Sequence, residues 1–320
     1  MSNVVLVLIE PDEGRVHLVS REALTFARPL AGQVQALMLG RVDEAVLADC
    51  REQGVAVVHE ATDAELESYA AAAWATALER SLEASGAGIV LAGGTERGTE
   101  VLAHLAARRD LPMAANVLSV TSTDPLEVER QVAGGAVREQ MRLDASPAVL
   151  TMAGHAVEAS AAAAPGAAEH RPFTAGVSAA DLRAQVKQVQ ARGGGDSSAD
   201  LSAARVVVGA GRGAGSADGF SDVDALAQRL GGAVGVSRAV TSLGWRPHHE
   251  QVGQTGSRIA PDVYIACGIS GAIQHWAGCS SSKTIIAINT DAEAPMMTKA
   301  DYAVVGDMHE VLPALLEALG

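Results

Sequence analysis

One stretch, residues 251–289, restricts the fold more than any other. It runs Q-V-G-Q-T-G, a short polar link, P-D-V-Y-I-A-C-G-I-S-G-A-I-Q-H, a Gly/Ser-rich link and K-T-I-I-A-I-N. Val263-Tyr264-Ile265-Ala266-Cys267 is a short apolar run of strand type, Gly268 and Gly271 punctuate the chain directly after it, and a helical pattern then begins. A tight turn of this kind aims the first backbone N–H groups of the helix at open space, where the positive helix end favours a phosphate or another electron-rich group. Ser270 is placed to cap that helix, and Gln274 and His275 add hydrogen-bonding side chains one turn in. Residues 283–289 supply a second buried strand that ends in the polar Asn289, on what becomes the same edge of a parallel sheet. The crevice so formed is polar at its rim and dry beneath.

The segment upstream has the same grammar. Arg205-Val206-Val207-Val208 reads as a strand running into Gly209-Ala210-Gly211-Arg212-Gly213-Ala214-Gly215, which fits the dinucleotide fingerprint G-x-G-x-x-[GA], with a helix over 221–230. A nicotinamide enzyme places an acidic residue ~20 positions on, at the end of the next strand, to hold the ribose hydroxyls. The next strand, 233–236, ends instead in Ser237-Arg238. An arginine there suits a 2′-phosphate, so an NADP-dependent oxidoreductase is one reading; a βα-type adenine-nucleotide sensor without redox chemistry is another. Against the first, the helix starts late, after Ala217-Asp218-Gly219-Phe220. Arg238 also reads as an ordinary surface or domain-bridging ion-pair residue.

Within Gln251-Val252-Gly253-Gln254-Thr255-Gly256 no side chain titrates near neutrality, so the donors suit fixed hydrogen bonding rather than acid–base chemistry. Its glycines let the backbone approach a flat ligand while Gln254 and Thr255 reach heteroatoms at the ligand's edge; an ordinary turn satisfies the same pattern. His275 is the one titratable side chain of the core motif, and a lone helical histidine is more often a satisfied structural residue than a ligand contact. His248-His249 lacks further ligands at metal spacing, and Cys50, Cys267 and Cys279 are too few and scattered for a disulfide framework or zinc site. Cys267 reads as an inert buried thiol, and no nucleophile with an adjacent base is visible.

A chain of 320 residues divides most readily into two domains. The first half alternates strands (4–10, 35–39, 55–58, 88–92) with helices (starting at 21, then 43–53, 63–84 and 100–109), which implies a parallel sheet of βα units. The turn Gly93-Gly94-Thr95-Glu96-Arg97-Gly98 invites a nucleotide but reads better as a tight structural βα turn. Residues 137–143 and 148–152 roughly alternate apolar and polar, which suits antiparallel strands closing the domain. Composition then shifts through an Ala-rich stretch to the flexible break Ala191-Arg192-Gly193-Gly194-Gly195-Asp196-Ser197-Ser198, where the boundary is placed: 1–192 and 193–320. A formal net charge of −14 argues against nucleic acid or an anionic membrane surface as the main partner. No uncharged apolar window is long enough to span a bilayer, and the N-terminus reads as a first strand rather than a signal peptide. With aromatics at 3%, a flat cofactor would be held mainly by hydrogen bonds and aliphatic contacts.

Three spaced motifs in one order, G-V-S-R-A, V-G-Q-T-G and Y-I-A-C-G-I-S-G-A-I-Q-H-W-A-G with I-I-A-I-N beyond, resemble the alpha subunit of electron transfer flavoprotein. The resemblance is dense over 205–320 and looser before. It implies an α/β chain of two βα-type domains, the C-terminal one a Rossmann-like FAD-binding domain with a parallel sheet, and the N-terminal one packing on a beta subunit that carries AMP. It further implies that Arg212, Ser237, Arg238, Gln251, Val252, Gly253, Gln254, Thr255, Gly268, Ser270, Gly271, Ala272, Ile273, Gln274, His275, Asn289, Asp307 and Met308 bind FAD. Thr255 would meet the ring near N5, Arg238 and His275 would favour its reduced, electron-rich form, and Asn289 with Asp307-Met308 would hold the adenosine. Asp307 also reads as the N-cap of a final helix over 309–319. The implied function is a cytoplasmic electron carrier, loaded by flavin dehydrogenases such as acyl-CoA dehydrogenases and discharged to a membrane quinone oxidoreductase.

Overall fold

A computed structural model describes residues 3–12, 14–133, 137–154, 156–187, 201 and 204–320. The chain divides into two compact units, Met1–Val132 with Arg138–Ala191, and Ala133–Val137 with Arg192–Gly320. The glycine-rich break expected over 191–198 lies outside the described residues.

In the first unit, βα alternation runs through β1 (Val4–Ile9), a short ribbon of β2 (Pro11–Asp12) and β3 (Arg15–Val16), α1 (Leu18–Ala27), β4 (Gln33–Leu39), α2 (Glu44–Glu52), β5 (Val57–Ala61), α3 (Ala71–Ser85), β6 (Ile89–Gly93) and α4 (Glu96–Arg109). It continues with β7 (Met113–Thr123), β8 (Leu126–Val132), β9 (Val137–Leu143), β10 (Ala148–Met152) and β11 (Glu169–Phe173). Nine strands form one sheet in the order β11-β5-β4-β1-β6-β10-β7-β8-β9, parallel from β11 through β7 and antiparallel between β7 and β8. Central β1 buries Val5, Val7 and Ile9 in one layer and Leu6 and Leu8 in the other, which is why its sequence is continuously apolar.

Three expectations for this unit are corrected. Residues 148–152 are not an antiparallel closing strand: β10 lies between β6 and β7, parallel to both, with all five residues buried. The long helix expected over 63–84 is broken: a single 3-10 turn, Ala64–Glu67, follows Asp63, whose carboxylate accepts from the backbone of Ala175 and Gly176, the chain is extended at Ser68, and α3 starts only at Ala71. Helix α1 starts at Leu18 rather than at 21, with the His17 ring accepting from the Val19 N–H as its cap. The Gly93 turn ends in a capped helix. The Thr95 hydroxyl accepts from the Gly98 N–H and donates to the Glu10 carboxylate, so α4 begins at Glu96.

The second unit contains β12 (Val206–Ala210), α5 (Ser221–Arg229), β13 (Ala233–Val236), α6 (Arg238–Ser242), β14 (Val263–Cys267), α7 (Ile273–Cys279), β15 (Thr284–Asn289), α8 (Pro295–Lys299), β16 (Tyr302–Val305) and α9 (Met308–Leu319). Its five strands are all parallel in the order β13-β12-β14-β15-β16. Alternate residues feed two cores. Val207, Tyr264, Ala266, Ile285 and Ala287 pack with Cys279, Met296 and Met297 of α7 and α8, while Val208, Ala210, Ile265, Cys267 and Ile288 pack with Val223 and Leu226 of α5 and Leu312 of α9. The chain moves outward to β13 on one side of β12 and to β14 on the other. That reversal of strand order opens a crevice at the carboxyl ends of the strands, the usual ligand position in such sheets. Among the described residues no helix is long and apolar enough to cross a membrane.

Candidate functional site

A cleft of about 310 Å³ lies at those strand ends, and each of the five strands contributes residues at or just beyond its end. Arg212 and Gly213 come after β12, Ser237 and Ala239 after β13, and Gly268, Ile269 and Ser270 after β14; Asn289, Thr290, Asp291 and Ala294 come from the end of β15 and beyond, and Gly306, Asp307 and Met308 after β16. Of the residues singled out in the sequence, the cleft therefore brings together Arg212, Ser237, Gly268, Ser270, Asn289, Asp307 and Met308. Motif reasoning missed Gly213, Ala239, Ile269, Thr290, Asp291, Ala294 and Gly306. The carboxyl-end rule applied to each expected strand would have named most of them.

Several of the polar groups are already oriented by the protein. The Asn289 side-chain amide donates to the Ile269 carbonyl at 3.1 Å and accepts from the Asp291 N–H at 3.1 Å. Asp307 caps α9, its carboxylate accepting from the His309 N–H at 2.9 Å. Ser270, by contrast, does not cap α7 as expected. The N-cap is Ala272, with no side-chain bond, because Gly271 packs against the Met296 backbone and delays the helix by two residues. Ser270 accepts the Met296 N–H through its carbonyl instead and is exposed at the cleft.

The remaining singled-out residues form a second constellation where α7 packs on the 251–257 loop. Its two pieces are held backbone to backbone, the Gln254 N–H donating to the Gln274 carbonyl at 2.7 Å. Gln251 is buried, and its amide is engaged on both sides: the Thr241 hydroxyl donates to Oε1 at 2.6 Å and Nε2 donates to the Thr255 oxygen at 3.0 Å. With its lone pair so occupied, the Thr255 hydroxyl hydrogen is free to point outward, and Thr255 is exposed. Gln254, Ala272, Ile273 and Gln274 are exposed, Ile273 by 72%, whereas Val252, Gly253 and Gly271 are buried packing positions. Arg238 opens α6, is exposed and makes no ion pair among the described residues.

His275 is the buried member, 6% exposed, with Nε2 2.8 Å from the Tyr264 hydroxyl and Nδ1 making no hydrogen bond. Burial pushes the imidazole down to about 4, opposed by the Val252 backbone. It is therefore neutral at pH 7 and can act there as a hydrogen-bonding group rather than as a cation. Cys267 is buried, and desolvation raises its thiol to about 12, so it is inert as expected.

The fingerprint glycines are used internally. A Cβ at Gly209 would stand 2.4 Å from the Tyr264 hydroxyl oxygen, one at Gly211 2.3 Å from the Gly268 carbonyl oxygen, and one at Gly213 2.6 Å from the Gly268 Cα. Only a one-turn 3-10 helix, Arg212–Ala214, follows the glycines directly, and the α-helix α5 starts at Ser221. The glycines that suggested the fingerprint thus have a packing cause of their own.

Residues 5–178 match the family described as electron transfer flavoprotein domain, and residues 200–280 the electron transfer flavoprotein FAD-binding domain. The chain is 39% identical over 316 residues to an electron transfer flavoprotein subunit alpha of Mycobacterium leprae, covering 98% of this chain and 97% of that one. The chain belongs to the electron transfer flavoprotein alpha-subunit family. A Bacillus subtilis alpha subunit is 34% identical over 99% of the chain and 97% of its own length. A Caenorhabditis elegans protein described as a probable mitochondrial alpha subunit is 34% identical over 99% and 94%.

FAD is the cofactor of this domain family. The second unit fits it on two counts. The cleft sits at the reversal of strand order, with Gly213 and Gly268 so closely apposed that backbone rather than side chain forms its floor, and a buried His275 nitrogen lacks a partner.

Proposed function

We propose that this chain is the FAD-bearing alpha subunit of a cytoplasmic heterodimer, taking electrons from flavin dehydrogenases such as acyl-CoA dehydrogenases and passing them to a membrane quinone oxidoreductase. The observation that carries the reading is the cleft at the carboxyl ends of the second unit's parallel sheet, in the unit whose residues 200–280 match a family FAD-binding domain. Bound FAD supplies reversible electron transfer, and the chain's residues bind and orient it. Asn289, Asp307, Met308 and Ser270 serve the adenosine side, and Arg212 and Ser237 at the cleft rim serve the diphosphate. The ring side falls to Gln251, Val252, Gly253, Gln254 and Thr255, to Gly268, Gly271, Ala272, Ile273, Gln274 and His275, and to Arg238, an exposed cation free to favour the reduced ring. The first unit packs on the beta subunit, which holds AMP. The protein is a carrier rather than an enzyme acting on a small substrate.

Co-expression with a beta subunit is expected to give a yellow complex that releases one FAD per heterodimer and is bleached by an acyl-CoA dehydrogenase with its substrate. A colourless complex, or one that binds NADPH instead, overturns the cofactor assignment. A yellow complex that no flavin dehydrogenase reduces overturns the partner assignment alone. Gln251→Leu separates orientation from fold: it removes the bond that aims Thr255 while Thr241 retains the Arg238 carbonyl as acceptor. Stability is expected to fall by no more than about 1 kcal/mol, and the FAD dissociation constant to rise roughly 2- to 10-fold, the worth of one neutral hydrogen bond. Fluorescence titration of FAD beside a denaturant melt reads both.

A further inference from the structure

Tyr264 and His275 share a hydrogen bond that ties the floor of the second sheet to the helix above it. Tyr264, on β14, is fully buried, and its hydroxyl makes one hydrogen bond among the described residues, to His275 Nε2 at 2.8 Å. Room for the phenol is reserved by the absent side chain at Gly209 of the neighbouring strand β12. On the far side of the imidazole, Nδ1 is buried and makes no well-formed hydrogen bond, while the Val252 backbone is close enough to the ring to favour a proton on it.

Two arrangements of protons fit the 2.8 Å contact of a neutral imidazole. If Nε2 carries the proton and donates to the phenol oxygen, two polar groups are left stranded: the phenol hydrogen and the Nδ1 lone pair. If the phenol donates to Nε2, the imidazole proton sits on Nδ1, and that N–H is the one stranded group. Each stranded group bears the full cost of its desolvation, so the second arrangement is favoured. Burial keeps the ring from taking a second proton, and burial also holds the Tyr264 phenol well above its ordinary range, hence protonated and able to donate.

We propose that Tyr264 is a positioning residue that fixes His275 as the Nδ1–H tautomer, leaving one directed donor where α7 packs on the Gln251-Val252-Gly253 backbone, for an electron-rich heteroatom of the flavin ring. The acceptor rests on the proposed function; the tautomer does not. Gly253 lies against the backbone of α7, where an added Cβ would stand 2.9 Å from the Gln274 carbonyl oxygen and 3.5 Å from the His275 Cα. Ligand and loop thus compete for little space, and a donor fixed in direction is worth more there than one that can flip.

The test is nitrogen NMR of the holo heterodimer labelled with ¹⁵N-histidine, in the parent protein and in Tyr264→Phe, with His275→Asn to assign the signal. In the parent protein, Nε2 is expected to give an unprotonated, imine-type shift and Nδ1 a protonated one. Tyr264→Phe is expected to move proton occupancy to Nε2, to keep its FAD and to shift the flavin's reduction potential. A protonated Nε2 in the parent protein overturns the proposal even if the variant fails to fold, and so does an unchanged tautomer in Tyr264→Phe. A changed tautomer with an unchanged potential overturns the ring-facing part. A colourless preparation overturns the flavin reading, while the same spectrum still decides the tautomer.

Discussion

Gly271→Ala is expected to remove about 2–5 kcal/mol from the second unit, a large share of the ~5–15 kcal/mol that holds a typical domain together. Two costs add. Gly271 has φ +79°, a left-handed conformation that costs a residue with a Cβ about 1–2 kcal/mol. The new methyl would also stand 2.4 Å from the Met296 N and 2.7 Å from its Cα. Those are backbone atoms that cannot swing aside, and overpacking of this kind adds about 1–3 kcal/mol. Gly231→Ala is the matched control: φ is +62°, but nothing lies within 4 Å of the added methyl, so the conformational cost alone remains. Denaturant melts of both variants, with FAD retention after gel filtration, read the difference. Equal losses in the two would show that the contact with Met296 does not hold the turn.

An acid limb of stability is expected from His275. Its ordinary value is 6.5 and burial lowers it to about 4 in the folded protein. Above pH 6.5 neither state is protonated, and the folded state bears no penalty from this residue. Between 6.5 and 4 the unfolded chain takes up a proton that the folded chain refuses, so stability falls as pH falls, by roughly 3 kcal/mol in all. Below about 4 both states are protonated and the slope ends. His275→Gln keeps a hydrogen-bonding side chain beside Tyr264 and should lose the limb. Urea midpoints of the parent protein and variant, taken at pH 7, 5.5 and 4.5, should therefore converge with acidity. A gap that stays constant with pH would mean the imidazole is not held neutral by burial.

The parallel βα architecture was legible because its central strands are buried on both faces and so carry unbroken apolar runs, as in Val4–Ile9 and Val263–Cys267. Partly buried and edge strands left weaker traces. β11 reads E-H-R-P-F and is a strand only through its register with β5, and the outer part of β7, S-V-T-S-T, alternates too weakly to separate from a loop. β10 was mistaken for an alternating strand because Thr151 interrupts it, yet that hydroxyl is fully buried and accepts from the Asn116 N–H, so it is satisfied inside the sheet. The site divides in the same way. Residues at strand ends, such as Ser237, Asn289 and Asp307, were readable because topology places them. The roles of Gln251 and His275 were not, since which partner each side chain meets depends on Thr241, Thr255 and Tyr264, brought in from other parts of the sequence. The fingerprint pointed to the right strand end but not to the reason for its glycines: glycine is required at 209 and 211 by a tyrosine ring and a neighbouring carbonyl.

Backbone apposition at Gly213–Gly268 and at Gly271–Met296 also bears on how readily the surface of this turn can be altered. The path of the turn is set by main-chain atoms, while Ser270, Ala272, Ile273 and Gln274 between and beside these contacts stay exposed. Those four positions can be exchanged one at a time without redrawing the scaffold, so the chemistry this turn presents and its structural tolerance are separable in a way that a turn held by interlocked side chains would not permit.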